Sequence, residues 1–357
     1  MDIVNGKNQK KVEDPKGAYP IYGSGGMMGY ANDYLCKANT VVIGRKGNIN
    51  NPIYVEEPFW NVDTAFGLVA KQDMLLPKYL YYFCIHYDFE KLNTTVTIPS
   101  LTKANLLNVE MDVPDIEGQK NIVEKLDLVI KLIQFQKEQI ESYDILIKSR
   151  FVEMFGDEKN RMLMSDLCSI ITDGTHQPPK FVPKGIPFIF VSNIASDKVT
   201  YETEKFISEE TYNELIKRTP IEIGDMLLST VGSYGHPAVV KLDNKFLFQR
   251  HIAYLKPKRD IVDSDYLHGA LLSPDVQKQI EVGVKGIAQK TLNLSEIKKM
   301  MIPVPEINRQ KEFAAFVRQV DKLKVANILK VDIYIICGLL GKSEQFKIVE
   351  SIGCMVA

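Results

Sequence analysis

Apolar side chains recur in the middle of the chain at alternating steps of four and three residues, which places them on one narrow stripe of a helix. The stripe consists of Ile122, Leu126, Val129, Ile133, Ile140, Tyr143 and Ile147, with Gln136 at the one polar step. No Gly or Pro lies between Gly118 and Gly156. The pattern predicts one helix over residues 113–156, roughly 55–60 Å long. Such a stripe is typical of a coiled coil, so we expect a second helix to pack against it.

The residues on either side of this helix show a repeated plan. Residues 1–112 contain short β-type runs separated by dense turn signals, followed by an aromatic, Leu-rich helix over residues 75–93. Residues 157–303 carry matching blocks in the same order: 172–175 match 4–7, 185–190 match 17–22, 227–232 match 42–47 and 249–253 match 61–65. The chain is therefore predicted to be a duplication of one domain followed by one helix.

The two helix openings are the most similar blocks of the repeat. Val113-Pro114 is followed by Gln119-Lys120, and Val304-Pro305 is followed by Gln310-Lys311. We predict a second long helix over residues 304–340, altered after about residue 326, and a tail over 341–357. The second copy has a leading segment, residues 162–171, that has no counterpart in the first. We hypothesise that residues 330–357 pack near Asn5 and substitute for it. The predicted fold class is mixed α+β.

Composition limits the function only weakly. The formal net charge is −1 and the sequence pI is about 6.6, so bulk charge gives no support to nucleic-acid binding, although a local basic patch can bind phosphates on a neutral protein. The five cysteines form no C-x-x-C pair. This pattern disfavours disulfides and zinc and favours a cytoplasmic location. No leader and no membrane-spanning run is predicted.

Catalytic and metal-binding motifs are not found in the sequence. The chain has no Gly-x-x-x-x-Gly-Lys-Ser/Thr, and the segment Asn51-Pro52-Ile53-Tyr54 lacks the second Pro of an adenine-methylase loop. The five histidines are scattered, without a metal pair at i and i+4. We therefore predict neither catalytic nor metal-ligating residues.

Binding chemistry recurs on corresponding loops of the two copies. Arg and Lys suit phosphates and guanine edges, and Asn suits adenine, while Gly permits close backbone approach. In the first copy the candidates are Lys7, Lys10, Lys11, Ser24, Arg45, Lys46, Asn48, Asn50 and Asn51. In the second they are Thr175, His176, Lys180, Ser233, Tyr234, His236, Arg250, His251, Lys285 and Lys290. Taken singly, each is an ordinary solvated loop residue; as a recurring set, they favour binding.

The motifs together resemble the specificity subunit of type I restriction-modification systems. The resemblance rests on residues 19–26, 173–176 and 185–189 and on the two Val-Pro…Gln-Lys openings, and it extends from Met1 to about Leu323. It implies two target-recognition domains, each reading one half of a bipartite site in double-stranded DNA, and two spacer helices packed as an antiparallel coiled coil. It also implies a non-catalytic subunit without its own cofactor. S-adenosylmethionine, ATP and Mg²⁺ then belong to the partner methyltransferase and restriction subunits.

Two other classes of function remain open at this point. A scaffold or adaptor whose loops bind protein would show no DNA sequence preference. A self-sufficient methylase or nuclease is opposed by the missing motifs.

Overall fold

A computed structural model describes residues 1–339, apart from residues 94, 96 and 287–289; for residues 328–339 it describes the backbone path only. The elements of the first copy are, in chain order, β1 (Asp2–Asn5), β2 (Tyr19–Gly23), β3 (Gly26–Ala31), β4 (Thr40–Gly44), β5 (Ile53–Val55), β6 (Trp60–Asn61), β7 (Ala65–Val69), α1 (Pro77–His86), α2 (Lys103–Leu107) and α3 (Ile116–Phe155). The helix predicted over residues 75–93 ends at His86, and a 3-10 turn follows at Phe89–Leu92.

The second copy repeats these elements with additions at its start and end. They are β8 (Arg161–Leu163), α4 (Met164–Leu167), β9 (Cys168–Asp173), β10 (Ile186–Ile189), β11 (Phe206–Ile207), α5 (Glu209–Leu215), β12 (Met226–Ser229), β13 (Pro237–Val239), β14 (Leu247–Phe248), β15 (Ile252–Pro257), α6 (Ser264–Leu271), α7 (Pro274–Gly283), β16 (Val284–Lys285), β17 (Thr291–Leu292), α8 (Leu294–Lys299), β18 (Met301–Pro303) and α9 (Ile307–Leu339).

The sheets of the two copies have the same topology. The larger sheet has the order β1-β7-β4-β5 in the first copy and β9-β15-β12-β13 in the second, and all its neighbours are antiparallel. In the smaller sheet β2 lies between antiparallel β3 and parallel β6, as β10 lies between β11 and β14. The predicted fold class, mixed α+β with two β-rich halves that each precede a long helix, is confirmed.

Strand pairing fixes the alignment of the repeat residue by residue. The match of residues 227–232 to 42–47 is correct, because Val42 pairs with Gly67 as Leu227 pairs with Tyr254. Two other blocks are displaced by one residue. Ala65 pairs with Gly44 as Ile252 pairs with Ser229, so 61–65 correspond to 248–252. Tyr22 pairs with Asn61 as Ile189 pairs with Phe248, so Pro20 corresponds to Pro187. The loops before these strands differ in length between the two copies, and turn signals alone do not reveal the difference.

The leading segment of the second copy forms structure of its own. Residues 161–163 pair antiparallel with β18, and α4 continues directly into β9. The first described element of the first copy is β1 of the sheet, which begins at Asp2. The hypothesis that residues 330–357 replace this segment concerns side chains that lie outside the described part of the chain.

Helices cover one face of the larger sheet in each copy. Ile43 and Phe66 of the first sheet pack with Leu80 of α1 and Leu106 of α2. Leu228 and Ala253 of the second pack with Leu267 of α6 and Ile297 of α8. All of these side chains are at most 2% exposed. Because equivalent positions build both cores, each copy presents its loops from the same scaffold.

Contacts divide the chain within its two long helices. One compact unit contains residues 1–137, and the other contains Glu138–Asn327. Within the second unit, the end of α3 packs against the start of α9. The Phe151 and Phe313 ring centroids are 5.3 Å apart, the Arg309 guanidinium donates to the Met154 carbonyl at 2.9 Å, and Lys324 Nζ lies 2.5 Å from Asp144 Oδ1. Residue numbers rise along one helix as they fall along the other, so the predicted antiparallel packing is confirmed in this region.

The buried stripe on α9, formed by Phe313, Val317 and Val320, continues with a polar residue that the apolar pattern did not reveal. Leu323 is 48% exposed, whereas Lys324 is 4% exposed and pairs with Asp144. Lys324 follows Val320 by four positions, so its side chain continues the buried stripe, whereas that of Leu323 does not. Asn327 follows three residues later and donates to the Tyr143 hydroxyl at 3.1 Å. The backbone of α9 continues as helix to Leu339. In the described part of the chain, no helix is both long and apolar enough to cross a membrane.

A buried glutamine ties each long helix to the preceding domain. Gln119 accepts a hydrogen bond from the Leu76 backbone N–H at 2.8 Å and donates to the Met74 and Pro114 carbonyls, both at 2.8 Å. Gln310 accepts from the Asp263 N–H at 3.0 Å and donates to the Ile261 and Pro305 carbonyls at 3.1 and 2.8 Å. Both glutamines are fully buried. The Gln that follows Pro by five residues in both openings thus joins the long helix to the N-terminus of α1 or α6.

Replacing Gln310 by Leu is expected to lower the free energy of unfolding of the second unit by about 2–4 kcal/mol. Leucine has a similar size to glutamine, but the substitution leaves one buried N–H and two buried carbonyls without their hydrogen-bond partner. Urea unfolding followed by circular dichroism measures the loss. Gln319→Leu on the exposed face of the same helix is the matched control, and equal effects of the two substitutions would contradict the role given to Gln310.

Candidate nucleic-acid interface

Three loops meet at one edge of the larger sheet in the first copy. The loop after β4 bonds to the turn after β6, because Arg45 N and Lys46 N donate to the Thr64 carbonyl at 2.7 and 3.2 Å. The same loop bonds to the segment before α2, because Gly47 N donates to the Pro99 carbonyl at 2.9 Å. Gly47 has φ +81°, a left-handed conformation that favours glycine.

The second copy joins its three corresponding loops by the same backbone hydrogen bonds but with other side chains. We call these three joined loops the frame. Thr230 N donates to the His251 carbonyl at 2.9 Å, and Gly232 N donates to the Lys290 carbonyl at 3.4 Å. Gly232 has φ +75°, as the equivalent Gly47 has +81°. Three loops therefore hold equivalent positions at the same edge of both sheets.

A close backbone approach brings the chain after the first strand to this edge. A Cβ on Gly6 would lie 1.8 Å from the Val62 carbonyl oxygen, and one on Gly174 would lie 2.4 Å from that of Phe248. Only glycine fits at these two positions. The residues that follow are thereby fixed: Lys7 N donates to the Asn61 carbonyl at 2.8 Å, and Thr175 N to the Phe248 carbonyl at 2.9 Å.

Several candidates of the first copy lie together on this frame. Lys7, Arg45, Lys46 and Asn48 are exposed on the joined loops, and the Ser24 Cβ would lie 3.1 Å from a Cβ on Gly44. The Arg45 guanidinium lies over the Phe66 ring, 5.7 Å from its centroid. Basic and polar side chains thus share one exposed edge.

The remaining candidates of the first copy have other surroundings. Asn50 is engaged by the domain itself, since its amide donates to Asp88 Oδ1 at 3.1 Å and accepts from Phe89 N at 2.7 Å. Asn51 is exposed where the chain leads into β5. Lys10 and Lys11 are exposed in a turn that bonds to the end of β3 through Asn32 N and the Val12 carbonyl.

In the second copy, Thr175, Ser233, Arg250, His251 and Lys290 lie on the joined loops. Arg250 N donates to the Thr175 carbonyl at 3.0 Å, and Arg250 Nε lies 3.4 Å from His251 Nε2. Partial burial, and secondarily the Arg250 charge, lower the pKa of His251. His251 is therefore neutral at pH 7 and offers a hydrogen bond rather than a positive charge.

Other second-copy candidates are paired within the protein. His236 Nδ1 lies 2.9 Å from Asp197 Oδ1, and Lys285 Nζ lies 3.6 Å from Glu296 Oε1. Tyr234 is half-buried against the core, whereas Lys180 is exposed in the loop before β10.

His176 belongs to a charged cluster that includes an arginine the sequence reasoning missed. His176 Nε2 lies 2.9 Å from Asp173 Oδ2, and Arg218 Nη2 lies 2.5 Å from Asp173 Oδ1 and 3.3 Å from His176 Nε2. Arg218 is about half exposed. The basic pair Lys217-Arg218 after an acidic helix was the available signal, but its distance from Asp173 along the chain concealed the contact.

The frame is constant, but its charges differ between the copies. Exposed Asp63 occupies the position that Arg250 holds in the second copy, and Arg45 and Lys46 correspond to Thr230 and Val231. At these equivalent positions the first copy carries positive charge on the loop after β4, and the second carries it on the turn after β14. Two equivalent frames with different side chains can recognise two different targets.

The described residues contain no cluster arranged for metal chemistry. No group of three or more His, Cys, Asp and Glu side chains in that part of the chain is placed to hold a metal ion. Burial raises the pKa of the thiols of Cys36, Cys84 and Cys168 to about 12, so these thiols are protonated at neutral pH.

The chain contains two copies of a β-rich domain, and each copy carries basic loops on the same frame and leads into a long helix. This arrangement is that of a modular recognition protein. The family model for the type I restriction modification DNA specificity domain matches residues 1–142 and 163–331. The chain therefore belongs to this family. It is a DNA specificity subunit of a type I restriction-modification system and a non-catalytic part of that enzyme complex, as the sequence predicted.

Individual relatives agree with this assignment. The chain is 25% identical over 324 residues to the type I restriction enzyme EcoBI specificity subunit of Escherichia coli, covering 81% of this chain and 68% of the relative. The S subunit of M. genitalium has a similar fold, with a TM-score of 0.53 and 13% identity over 98% of this chain and 92% of that one. A second similar structure comes from work on complex assembly and conformational transition of the type I R-M system. Its TM-score is 0.54 and its sequence identity 16%, and the match covers 98% of this chain and 94% of that one.

Proposed function

We propose that this chain reads a bipartite site in double-stranded DNA, with residues 1–112 as the recognition domain for one half-site and residues 157–303 as that for the other. The observation that carries the proposal is the pair of equivalent loop frames with different side chains. Different side chains at equivalent positions, such as Arg45 and Lys46 against Thr230 and Val231, are the expected result if the two copies read different bases.

The candidate residues divide between two kinds of DNA contact in this proposal. The exposed cations Lys7, Arg45, Lys46, Arg250 and Lys290 suit phosphates and guanine edges. Neutral His251, Ser233 and Asn48 suit hydrogen bonds to base edges in the major groove. Because the cations are few and the net charge is −1, the affinity depends on this local edge, and it falls as salt rises.

Residues 113–156 and 304–340 serve as spacers in the proposal. They hold the two recognition domains at a fixed separation and offer their outer faces to methyltransferase and restriction subunits. S-adenosylmethionine, ATP and Mg²⁺ are placed on those partners. The solved relative studied for complex assembly supports a role within a larger complex, and the buried thiols agree with a cytoplasmic location.

Sequencing the methylated bases of a host that carries this chain with its methyltransferase partner tests the proposal. We expect one motif made of two unlike half-sites separated by a fixed number of unspecified bases. A single continuous motif would contradict the division of labour between the copies. Loss of all motif preference would favour an adaptor that binds protein rather than DNA.

A further inference from the structure

In both copies a short helix docks, through the same contacts, on the start of the following long helix and on the residues that lead into it. Besides the buried glutamines, Tyr79 of α1 donates its hydroxyl to the Asp112 carbonyl at 3.0 Å, and Tyr266 of α6 donates to the Pro303 carbonyl at 2.8 Å. These shared contacts do not distinguish one copy from the other. On this basis alone, either domain could dock on either long helix.

An ion pair beside the shared contacts has opposite polarity in the two copies. Lys78 Nζ of α1 lies 2.8 Å from Asp127 Oδ2 of α3, and Asp265 Oδ2 of α6 lies 3.1 Å from Arg318 Nη1 of α9. Lys78 and Asp265 each follow the residue bonded to the glutamine by two positions, and Asp127 and Arg318 each follow that glutamine by eight. At these equivalent positions the cation is on the domain in the first copy and on the long helix in the second. A neighbouring pair of the second copy, in which Lys241 Nζ lies 3.2 Å from Asp321 Oδ2 of α9, keeps the cation on the domain.

The large aromatic side chain at this contact also lies on the domain in one copy and on the long helix in the other. Tyr82 of α1 is 3% exposed, packs with Leu126 and Ile122 of α3, and donates its hydroxyl to Asp127. The equivalent residue of α6 is Gly269, where a Cβ would lie 2.7 Å from Phe313 Cε1. Phe313 in turn corresponds to Ile122. The large ring is on the domain in the first copy and on the long helix in the second.

We propose that reversed charge and reversed bulk together restrict each recognition domain to its own long helix. A crossed pairing of the first domain with α9 places Lys78 against Arg318 and the Tyr82 ring against Phe313. The opposite crossed pairing places Asp265 against Asp127 and leaves a gap between Gly269 and Ile122. Two independent features thus oppose the same error, while the shared glutamines and tyrosines stabilise the correct docking in both copies.

This selectivity matters because the two long helices are synthesised at different times. Residues 157–303 are synthesised before residues 307–339, so α3 is the long helix already present while the second domain emerges. Domains fold as units from the N-terminus, and exchange between similar repeats is a characteristic failure of duplicated proteins. Unfavourable charge and shape at α3 keep the second domain available for α9.

The test uses zero-length cross-linking of the full chain, which joins a lysine to a carboxylate in contact. In the reference variant Arg318→Lys both native pairs can be cross-linked, and the polarities remain opposite. In the test variant Lys78→Asp/Asp127→Lys/Arg318→Lys both copies have the acid on the domain and the lysine on the long helix. Each chain is refolded from denaturant, cross-linked and mapped by mass spectrometry, and the native monomer is quantified by size exclusion with light scattering.

We expect the test variant to form two crossed amides, at about one tenth of the native amides or more. One joins Asp265 to the lysine introduced at position 127, and the other joins the aspartate introduced at position 78 to the lysine introduced at position 318. The yield of native monomer should fall about twofold relative to the reference. Native amides alone, with an unchanged yield, would overturn the proposal.

A second variant decides the case in which the reversed pair does not form. Lys78→Gln/Asp127→Asn/Arg318→Lys removes the polarity of the first copy without introducing repulsion. A thermal midpoint close to that of the reference, together with a lower yield of native monomer, supports the proposal. If this variant refolds as well as the reference, the charges carry no docking information.

Discussion

Replacing Arg45 and Lys46 by glutamate is expected to reduce the affinity of the assembled complex for its DNA site by about two to three orders of magnitude. Both side chains are exposed on the loop after β4, where the Thr64 and Pro99 carbonyls fix the backbone. In the proposed function these two cations meet phosphates or guanine edges, and the substitutions turn them into two anions that repel DNA. The dependence of log affinity on log salt should also become shallower, by about 0.9 for each of the two cations that contacts a phosphate.

The fold of the variant should be preserved, because neither side chain is part of the core. The main loss within the domain is the contact of the Arg45 guanidinium with the Phe66 ring, worth about 0.5–1 kcal/mol. A larger loss of stability would mean that the loop, and not DNA contact, explains a drop in affinity. Thermal unfolding of the free subunit separates the two.

A matched control lies at the opposite edge of the same sheet. Lys37 precedes β4 and Lys71 follows β7, and because Thr40 pairs with Val69 the two lysines lie at the far end of both strands. Lys37→Glu/Lys71→Glu changes the net charge by the same amount. Binding titrations should show a loss of about threefold or less for this control. Equal losses for both variants would indicate a general charge effect, and unchanged affinity of the Arg45/Lys46 variant would refute this loop as a reader.

The sequence was sufficient for the architecture because the architecture is repeated. The stripe from Ile122 to Ile147 and the two Pro…Gln openings each follow from local chain geometry, and the second copy repeats the opening and the start of the stripe. The glutamine illustrates the limit of that reasoning. Its spacing from Pro was visible, but its partners at residues 74–76 and 261–263 depend on where α1 and α6 are placed by the fold.

The candidate site was less predictable because long-range hydrogen bonds decide which polar side chains are available. Asn50 looked like a free amide, but Asp88 and Phe89 engage it. Arg218 was missed, although it contacts both Asp173 and His176. No local pattern encodes these contacts. The assignment of individual residues to DNA contacts therefore stays a prediction, which the loop variants can test.

Lengthening both long helices by four residues is expected to change the spacer of the recognised site and to leave both half-sites unchanged. The insertion points are after Gln136 and after Asn327, which correspond in the repeat and are both polar steps of the buried stripe. Four residues add about 6 Å and roughly 40° of rotation to a helix. The translation matches about two base pairs and the rotation about one, so we expect one or two additional unspecified bases.

Inserting in both helices preserves the antiparallel match between α3 and α9 over residues 139–155 and 309–327. Insertion after Gln136 alone gives the two helices unequal lengths, and we expect it to weaken DNA binding rather than to produce a clean new spacer. Methylated-base sequencing reads both outcomes from living cells. An unchanged spacer in the double insertion would show that something other than helix length sets the separation, whereas altered half-site bases would show that the helices also orient the reading loops.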